Sequence, residues 1–256
     1  MTFLRPALCG FGLLVFPWGL VALDTTIKGE KMEVLEKGER IHFSGGVKLI
    51  RGSDVLTASD METTKRRDKA TAHGNVKFTR IVSEMEKWDG SSQRGFYDTQ
   101  TGEGYLEGDS GARAHLIQTK ILSSTSTQKI DVLAHRFDFS KDKDKAVGTG
   151  EVYGKTVDPR TEELYEFWSE RADYDGVEKK ITLTAVKKKK PVALQTKGNS
   201  QKRITGNLVI YYIESQRFTS EGEAEAVFSD APAGPVSKGP APASVQKSKQ
   251  SRGKGK

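Results

Sequence analysis

Residues 41–54 read IHFSGGVKLIRGSD, and this stretch decides the fold class. Apolar and polar residues alternate over residues 41–43 and again over 47–49, which is the period of a strand with one buried face. Residues 44–46 and 51–54 are small or polar, as is typical of turns. Similar runs follow along the chain, and no segment of the body has a convincing helical period. The sequence therefore predicts an all-β protein of antiparallel hairpins.

A weak internal repeat runs through this body. Each copy has an aromatic or acidic strand end, a turn that is usually charged, and a further strand, and the copies recur at about 35 to 42 residues. A single unit of this size cannot bury its own apolar face, so we expect the units to share one continuous core. The turns lie at residues 65–68, 101–104, 141–144, 177–180 and 214–217.

The two ends of the chain differ from this body. Residues 1–22 have one basic residue, an apolar run and a small residue at Ala22, which together predict a cleaved signal peptide; the alternative is a retained anchor in the inner membrane. Residues 231–256 contain no acidic residue and few large apolar ones, which predicts a disordered basic tail. Residues 23–230 are predicted to fold as one unit, or as two stacked units with a break near 125–130.

The net charge of +7 does not indicate a nucleic-acid partner. The tail and the signal segment hold the whole excess of basic residues, so the body is formally neutral and lacks the basic patch of a nucleic-acid domain. The one cysteine, Cys9, lies in the signal segment. An exported protein without disulfides fits the bacterial periplasm.

The sequence gives little sign of catalytic or metal chemistry. No histidine has a metal-ligand partner at i+2 or i+4, so we expect neither a metal nor another cofactor. The paired carboxylates Glu162 and Glu163 are predicted to be solvated. We therefore predict that the protein is not an enzyme; a polysaccharide-active enzyme on a β-scaffold is the alternative.

An ordered series of short steps carries a family resemblance. Gly-x-Val steps at residues 45–47 and 74–76 frame a Leu-Thr-Ala step at 56–58 and a charged hairpin. Residues 27–80 thereby resemble the LptA/OstA family of lipopolysaccharide transport proteins. Asp60 comes one residue later than the family pattern has it, which leaves the register there open.

This resemblance implies both a fold and a function. The fold would be a half-open, twisted β-jellyroll, a V-shaped trough of antiparallel strands built from hairpin repeats. The trough would hold the acyl chains of lipopolysaccharide, with its lipid A, in the periplasm of a Gram-negative bacterium. Other OstA-fold components at the inner and outer membranes, or further copies end to end, would complete a transport bridge. Alternatives are an anchored component of the same system and a self-assembling structural β-protein without lipid.

Alternation along the strands selects the positions expected to face the interior of the trough and to bind lipid. A closed sandwich without ligand predicts the same pattern. These positions are Ile41, Phe43, Val47, Leu49, Leu56, Ala58, Val76, Phe78, Phe96, Leu106, Phe137, Phe139, Val152, Ile181, Leu183 and Leu208.

Overall fold

The computed structural model describes residues 25–141 and 143–229, so the predicted signal peptide and basic tail lie outside the described residues. Within them, 18 strands form one antiparallel sheet. The helical structure in this part is a short 3-10 helix, Glu36–Gly38. The predicted all-β, antiparallel class is confirmed. In the described part, no helix has the length and apolar character needed to span a bilayer.

The strands differ in length, and six of them have eleven residues or more. In chain order the first nine are β1 (Thr25–Lys28), β2 (Lys31–Leu35), β3 (Arg40–Arg51), β4 (Asp54–Thr64), β5 (Lys69–Ser83), β6 (Glu86–Asp98), β7 (Glu103–Glu107), β8 (Ala114–Ser123) and β9 (Ser126–Ala134). The others are β10 (Arg136–Ser140), β11 (Lys145–Val157), β12 (Leu164–Asp175), β13 (Lys180–Thr184), β14 (Val192–Lys197), β15 (Ser200–Thr205), β16 (Leu208–Tyr212), β17 (Arg217–Glu221) and β18 (Glu225–Ser229).

The long strands β3–β6, β11 and β12 run through two halves of a folded sheet, which we call wall A and wall B. Wall A contains β1, β8, β9, β14, β15 and β18, together with one half of each long strand. Wall B contains β2, β7, β10, β13, β16 and β17, together with the other half. The two walls therefore share the long strands and meet along one fold line.

Three Gly-x-Val steps, at residues 45–47, 74–76 and 150–152, lie on this fold line. The register of strand pairing shifts at each step, which is the mark of a β-bulge. The first two residues of every step have positive φ, between +49° and +81°, a conformation that glycine adopts at little cost. Residues 44–46 were predicted to be a turn, and this is wrong: the inserted residues bend β3 from wall B into wall A without ending it.

The repeat that was recognised in the sequence corresponds to one edge of wall B. Its five turns connect β4 to β5, β6 to β7, β10 to β11, β12 to β13, and β16 to β17. All five are hairpins of strand halves that belong to wall B. The sequence repeat therefore corresponds to a row of hairpin turns along the free rim of this wall. The region near 125–130 lies in the β8–β9 hairpin, through which the sheet is continuous.

Candidate functional site: the interior between the walls

The inner faces of the two walls are apolar along the sheet. Directly opposed residues on neighbouring strands form rows, such as Leu49, Leu56 and Phe78 in wall A. A corresponding row of wall B contains Leu106 and Phe137. The buried members of both walls form one cluster. The interior is therefore a continuous apolar layer enclosed by a single folded sheet.

Fourteen of the sixteen predicted inward positions lie in this interior. Twelve of these are buried in the cluster, and alternation was sufficient to find them. Ile41 and Phe139 are partly buried and pack against the same cluster. The fourteen are Ile41, Phe43, Val47, Leu49, Leu56, Ala58, Val76, Phe78, Leu106, Phe137, Phe139, Val152, Ile181 and Leu183.

Phe96 and Leu208 were assigned to the wrong face. Phe96 stacks on Tyr105 on the outer face of wall B, with 5.7 Å between the ring centroids, while its neighbour Tyr97 takes the inner side. Leu208 also points outward, because Val209 is the residue opposite the inward Leu183. Both lie in runs of consecutive large apolar residues, where alternation does not determine which residue faces inward.

The two walls are in direct contact across the interior. The rings of Phe78 in wall A and Phe139 in wall B are stacked, with centroids 5.0 Å apart. Trp88 in wall A meets Tyr174 in wall B edge-on, also at 5.0 Å. A cavity of about 30 Å³ beside Trp88 has room for water molecules but not for an acyl chain. In this conformation the interior is filled by the protein's own side chains.

Sequence reasoning missed most of the aromatic residues that fill the interior. Among the missed residues, Phe167 lies opposite the inward Gly154 on the neighbouring strand, as the predicted Phe137 lies opposite Gly148. A glycine leaves space over the sheet into which a neighbouring ring can extend. The signal that was available is a glycine at an inward position of one strand beside an aromatic residue on the next. Further missed residues are Trp88, Tyr97, Tyr165, Tyr174 and Tyr211.

A polar cluster joins the two walls at the mouth of the interior. Asp54 of wall A is 1% exposed, and it accepts hydrogen bonds from Arg80 at 2.9 and 3.1 Å. The Tyr97 hydroxyl of wall B donates to the same carboxylate at 2.6 Å. Lys141, which follows β10, lies 3.6 Å from it. Asp54 is therefore an ionic and hydrogen-bonded connection between the walls.

The environment of this cluster shifts two pKa values. Burial by itself raises the pKa of Asp54, but the hydrogen bonds from Arg80 and Tyr97 and the nearby positive charges bring it below its ordinary value of 3.8. Burial, followed by the hydrogen bond to Asp54, raises the pKa of Tyr97 to about 12. Asp54 is therefore ionised and Tyr97 neutral at physiological pH, the states in which the hydroxyl donates to the carboxylate.

A second polar cluster lies on the rim of wall A towards the C-terminal end. Glu163 accepts hydrogen bonds from Tyr165, Gln195 and Lys197, each at 2.7 Å. The prediction that Glu163 is solvated is wrong, because its exposure is 8%. These hydrogen bonds, of which the one from Lys197 has the largest effect, lower the pKa of Glu163. The Glu163 carboxylate thus holds the Tyr165 side chain in place. The ring centroid of Tyr165 lies 5.7 Å from that of Tyr211 in wall B.

The interior and its mouth differ in chemical character. The inner faces offer a wide apolar surface, and the polar groups at the mouth are engaged with one another. No group of histidine, cysteine or acidic residues within 25–141 and 143–229 has the arrangement of a metal site. The fold and its interior define an antiparallel β-jellyroll whose two walls enclose an apolar layer.

Comparison with known proteins finds a family model that matches the N-terminal part of the chain. Residues 26–114 match the model of the family described as "LptA/(LptD N-terminal domain) LPS transport protein". This match confirms the resemblance carried by residues 27–80. It covers the sheet from β1 to the start of β8.

Solved structures also include similar chains. One is the crystal structure of LptH from Pseudomonas aeruginosa, titled the LptA homologous periplasmic component of the conserved lipopolysaccharide transport device. The similarity covers 80% of this chain and 94% of that one, at 9% sequence identity and a TM-score of 0.22. No curated protein matches the chain.

Proposed function

We propose that this protein is a periplasmic component of lipopolysaccharide transport that holds acyl chains between wall A and wall B. The observation that carries the proposal is the apolar interior, which extends from Leu49 near one end of the sheet to Val209 near the other. The family match over residues 26–114 supports the same transport system. In this proposal the protein binds and passes on lipid and catalyses no reaction.

Lipid binding requires the two walls to part, since their inner side chains are in contact. The contacts between the walls are noncovalent, and they consist of aromatic pairs such as Phe78 with Phe139 and a few polar bridges. The bulges at the Gly-x-Val steps are the natural hinge, because β3, β5 and β11 bend there. When an acyl chain lies between the walls, the contacts between the walls are replaced by apolar contacts with the chain. Each methylene of the chain that leaves water stabilises the complex by about 0.8 kcal/mol.

The ends of the folded sheet support a role in a larger assembly. β1 and β2 form one end, and β17 and β18 form the other. An end strand offers unpaired backbone N–H and C=O groups, to which a strand of another protein can add. Exposed apolar side chains accompany these edges, including Val34 on β2 and Phe228 on β18. We propose that these edges join further copies or other OstA-fold components into a bridge between the membranes.

Site-specific photo-crosslinking in cells tests the lipid proposal. The probe replaces Phe43, which is 6% exposed on the inner face, in one strain. In the control strain it replaces Lys48, an exposed residue on the outer face of the same strand. We expect a lipopolysaccharide adduct at position 43 and none at position 48. Absence of an adduct at position 43 and at further inward positions, in a folded periplasmic protein, would favour a closed structural β-protein without lipid.

N-terminal sequencing of the exported protein separates two versions of this function. A new N-terminus after Ala22 is expected for a cleaved signal peptide and a soluble carrier. An intact residue 1–22 segment would instead assign the protein to the inner-membrane-anchored component of the same system.

A further inference from the structure

The polar cluster around Asp54 has an excess of positive charge. Arg51 lies directly opposite Asp54 on β3, and Arg80 lies directly opposite it on β5. Lys141 reaches the same carboxylate from wall B at 3.6 Å. Two cations therefore contact this carboxylate, and a third lies beside it on the neighbouring strand. In a site where the Arg80 side chain is 13% exposed, such an excess favours binding of an anion, and arginine is well suited to phosphate oxygens.

The cluster also lies at the boundary between polar and apolar surfaces. The Arg80 guanidinium carbon is 5.2 Å from the ring centroid of Phe78 and 5.6 Å from that of Phe139. Leu56, the next inward residue of β4 after Asp54, belongs to the apolar interior. A molecule with an anionic head and acyl chains has its charged and apolar parts in the same order. Its head can meet the cations while its chains enter between Phe78 and Phe139.

We propose that Arg51, Arg80 and Lys141 bind the phosphate of an acylated lipid, and that Asp54 is the internal anion which this phosphate displaces. This inference rests on the proposed function and adds the chemistry of the lipid headgroup, which the proposed function does not specify. Asp54 also accepts the 2.6 Å hydrogen bond from Tyr97 of wall B. Displacement of Asp54 therefore removes a bridge between the walls, so that binding of the headgroup and parting of the walls occur together.

Equilibrium binding to the full chain tests this proposal with three probes: lipid A with its phosphates, the same lipid A without phosphates, and inorganic phosphate alone. We expect the wild-type protein to bind phosphorylated lipid A about tenfold more tightly than the dephosphorylated lipid, the gain expected for one charge-assisted contact. Inorganic phosphate alone is expected to bind much more weakly, because it brings no acyl chains.

Two variants separate the counter-ion from the cations. Asp54→Asn removes the competing anion. It is expected to tighten binding of phosphorylated lipid A by about tenfold without changing the affinity for the dephosphorylated lipid. Arg80→Gln alone leaves a buried carboxylate without its main partner and endangers folding. We therefore combine it with Asp54→Asn. Relative to Asp54→Asn alone, this double variant is expected to bind phosphorylated lipid A about tenfold more weakly, with unchanged affinity for the dephosphorylated lipid.

A matched control pair lies on the outer face of wall B. Arg136 donates to both carboxylate oxygens of Asp138, so Arg136→Gln with Asp138→Asn changes the same charges in a similar pair. This control is expected to keep the wild-type preference for phosphorylated lipid A. Equal wild-type affinity for both lipids would overturn the headgroup assignment while leaving the proposed function intact. Inorganic phosphate binding as tightly as lipid A would also overturn it. No binding of either lipid would contradict the proposed function itself.

Discussion

The close packing of the interior makes Gly154 sensitive to the addition of a single methyl group. Gly154 of β11 lies directly opposite Phe167 of β12, whose ring is 1% exposed and covers the glycine. A Cβ atom built on Gly154 overlaps this ring, and even Cε1, the third-nearest ring atom, is only 2.6 Å from it. Because the ring is enclosed by the opposite wall, Gly154→Ala has to displace it or to separate the two strands.

The expected loss of stability follows from two opposing effects. Overpacking of a filled core costs about 1–3 kcal/mol. Replacement of glycine by alanine also restricts the unfolded chain, which returns about 0.4–1 kcal/mol. We therefore expect Gly154→Ala to lower the free energy of unfolding by about 1–2 kcal/mol, seen as a lower urea midpoint at unchanged slope.

Gly111→Ala is the matched control for this measurement. Gly111 lies in the exposed connection between β7 and β8, and the nearest atom to an added Cβ is Asp109 Oδ1 at 3.6 Å. This variant is expected to remain within about 0.5 kcal/mol of wild type. Phe167→Leu, added to Gly154→Ala, is expected to recover part of the loss. A Gly154→Ala protein as stable as Gly111→Ala would show that the interior is not closely packed around Phe167.

Further predictions concern the cluster at the mouth and the fold line. Tyr97→Phe removes the 2.6 Å hydrogen bond to the buried Asp54 carboxylate and is expected to cost about 1–2 kcal/mol in urea unfolding. Because the pKa of Asp54 is lowered in the folded state, its contribution is present above the ordinary value of 3.8 and is lost as the pH falls through the lower folded value. The free energy of unfolding should therefore fall more for wild type than for Asp54→Asn between pH 7 and about pH 2. Equal losses would contradict a lowered pKa for Asp54 in the folded state. Gly74→Ala places a side chain at φ +71° with its Cβ 2.9 Å from Ser59 Oγ, and we expect its urea midpoint to fall by an amount equivalent to about 1–2 kcal/mol. An unchanged midpoint would show that the bulge tolerates a side chain.

Local alternation in the sequence was sufficient to predict the strands and most of the inner face. The Gly-x-Val steps were recognised as well, but residues 44–46 were interpreted as a turn. A short run of serine and glycine is typical of both a turn and a bulge. What distinguishes them here is that β3 pairs with β4 on both sides of the step, and local sequence does not reveal this long-range pairing.

The polar part of the site was not predictable for a similar reason. Asp54 lies in a stretch that resembles an ordinary hairpin turn, and such an aspartate is usually solvated. Its partners Arg80 and Tyr97 are 26 and 43 residues away along the chain. They meet Asp54 only because strand register places Arg80 beside it and the folded sheet brings Tyr97 across the mouth. Burial of Glu163 has the same origin, since Gln195 and Lys197 lie on another strand.

In the proposed function, acyl chains lie between two walls that part to admit them. The two ends of β6 measure this movement directly, since β6 starts in wall A and ends in wall B. Spin labels on cysteines at the exposed positions Glu84 and Thr101, in a Cys9→Ser background, report the distance between the two rims by pulsed electron paramagnetic resonance. We expect a longer distance when lipid A is added and no change when lipid-free buffer is added. An unchanged distance in a sample with bound lipid A would contradict it, because lipid would then be held outside the walls.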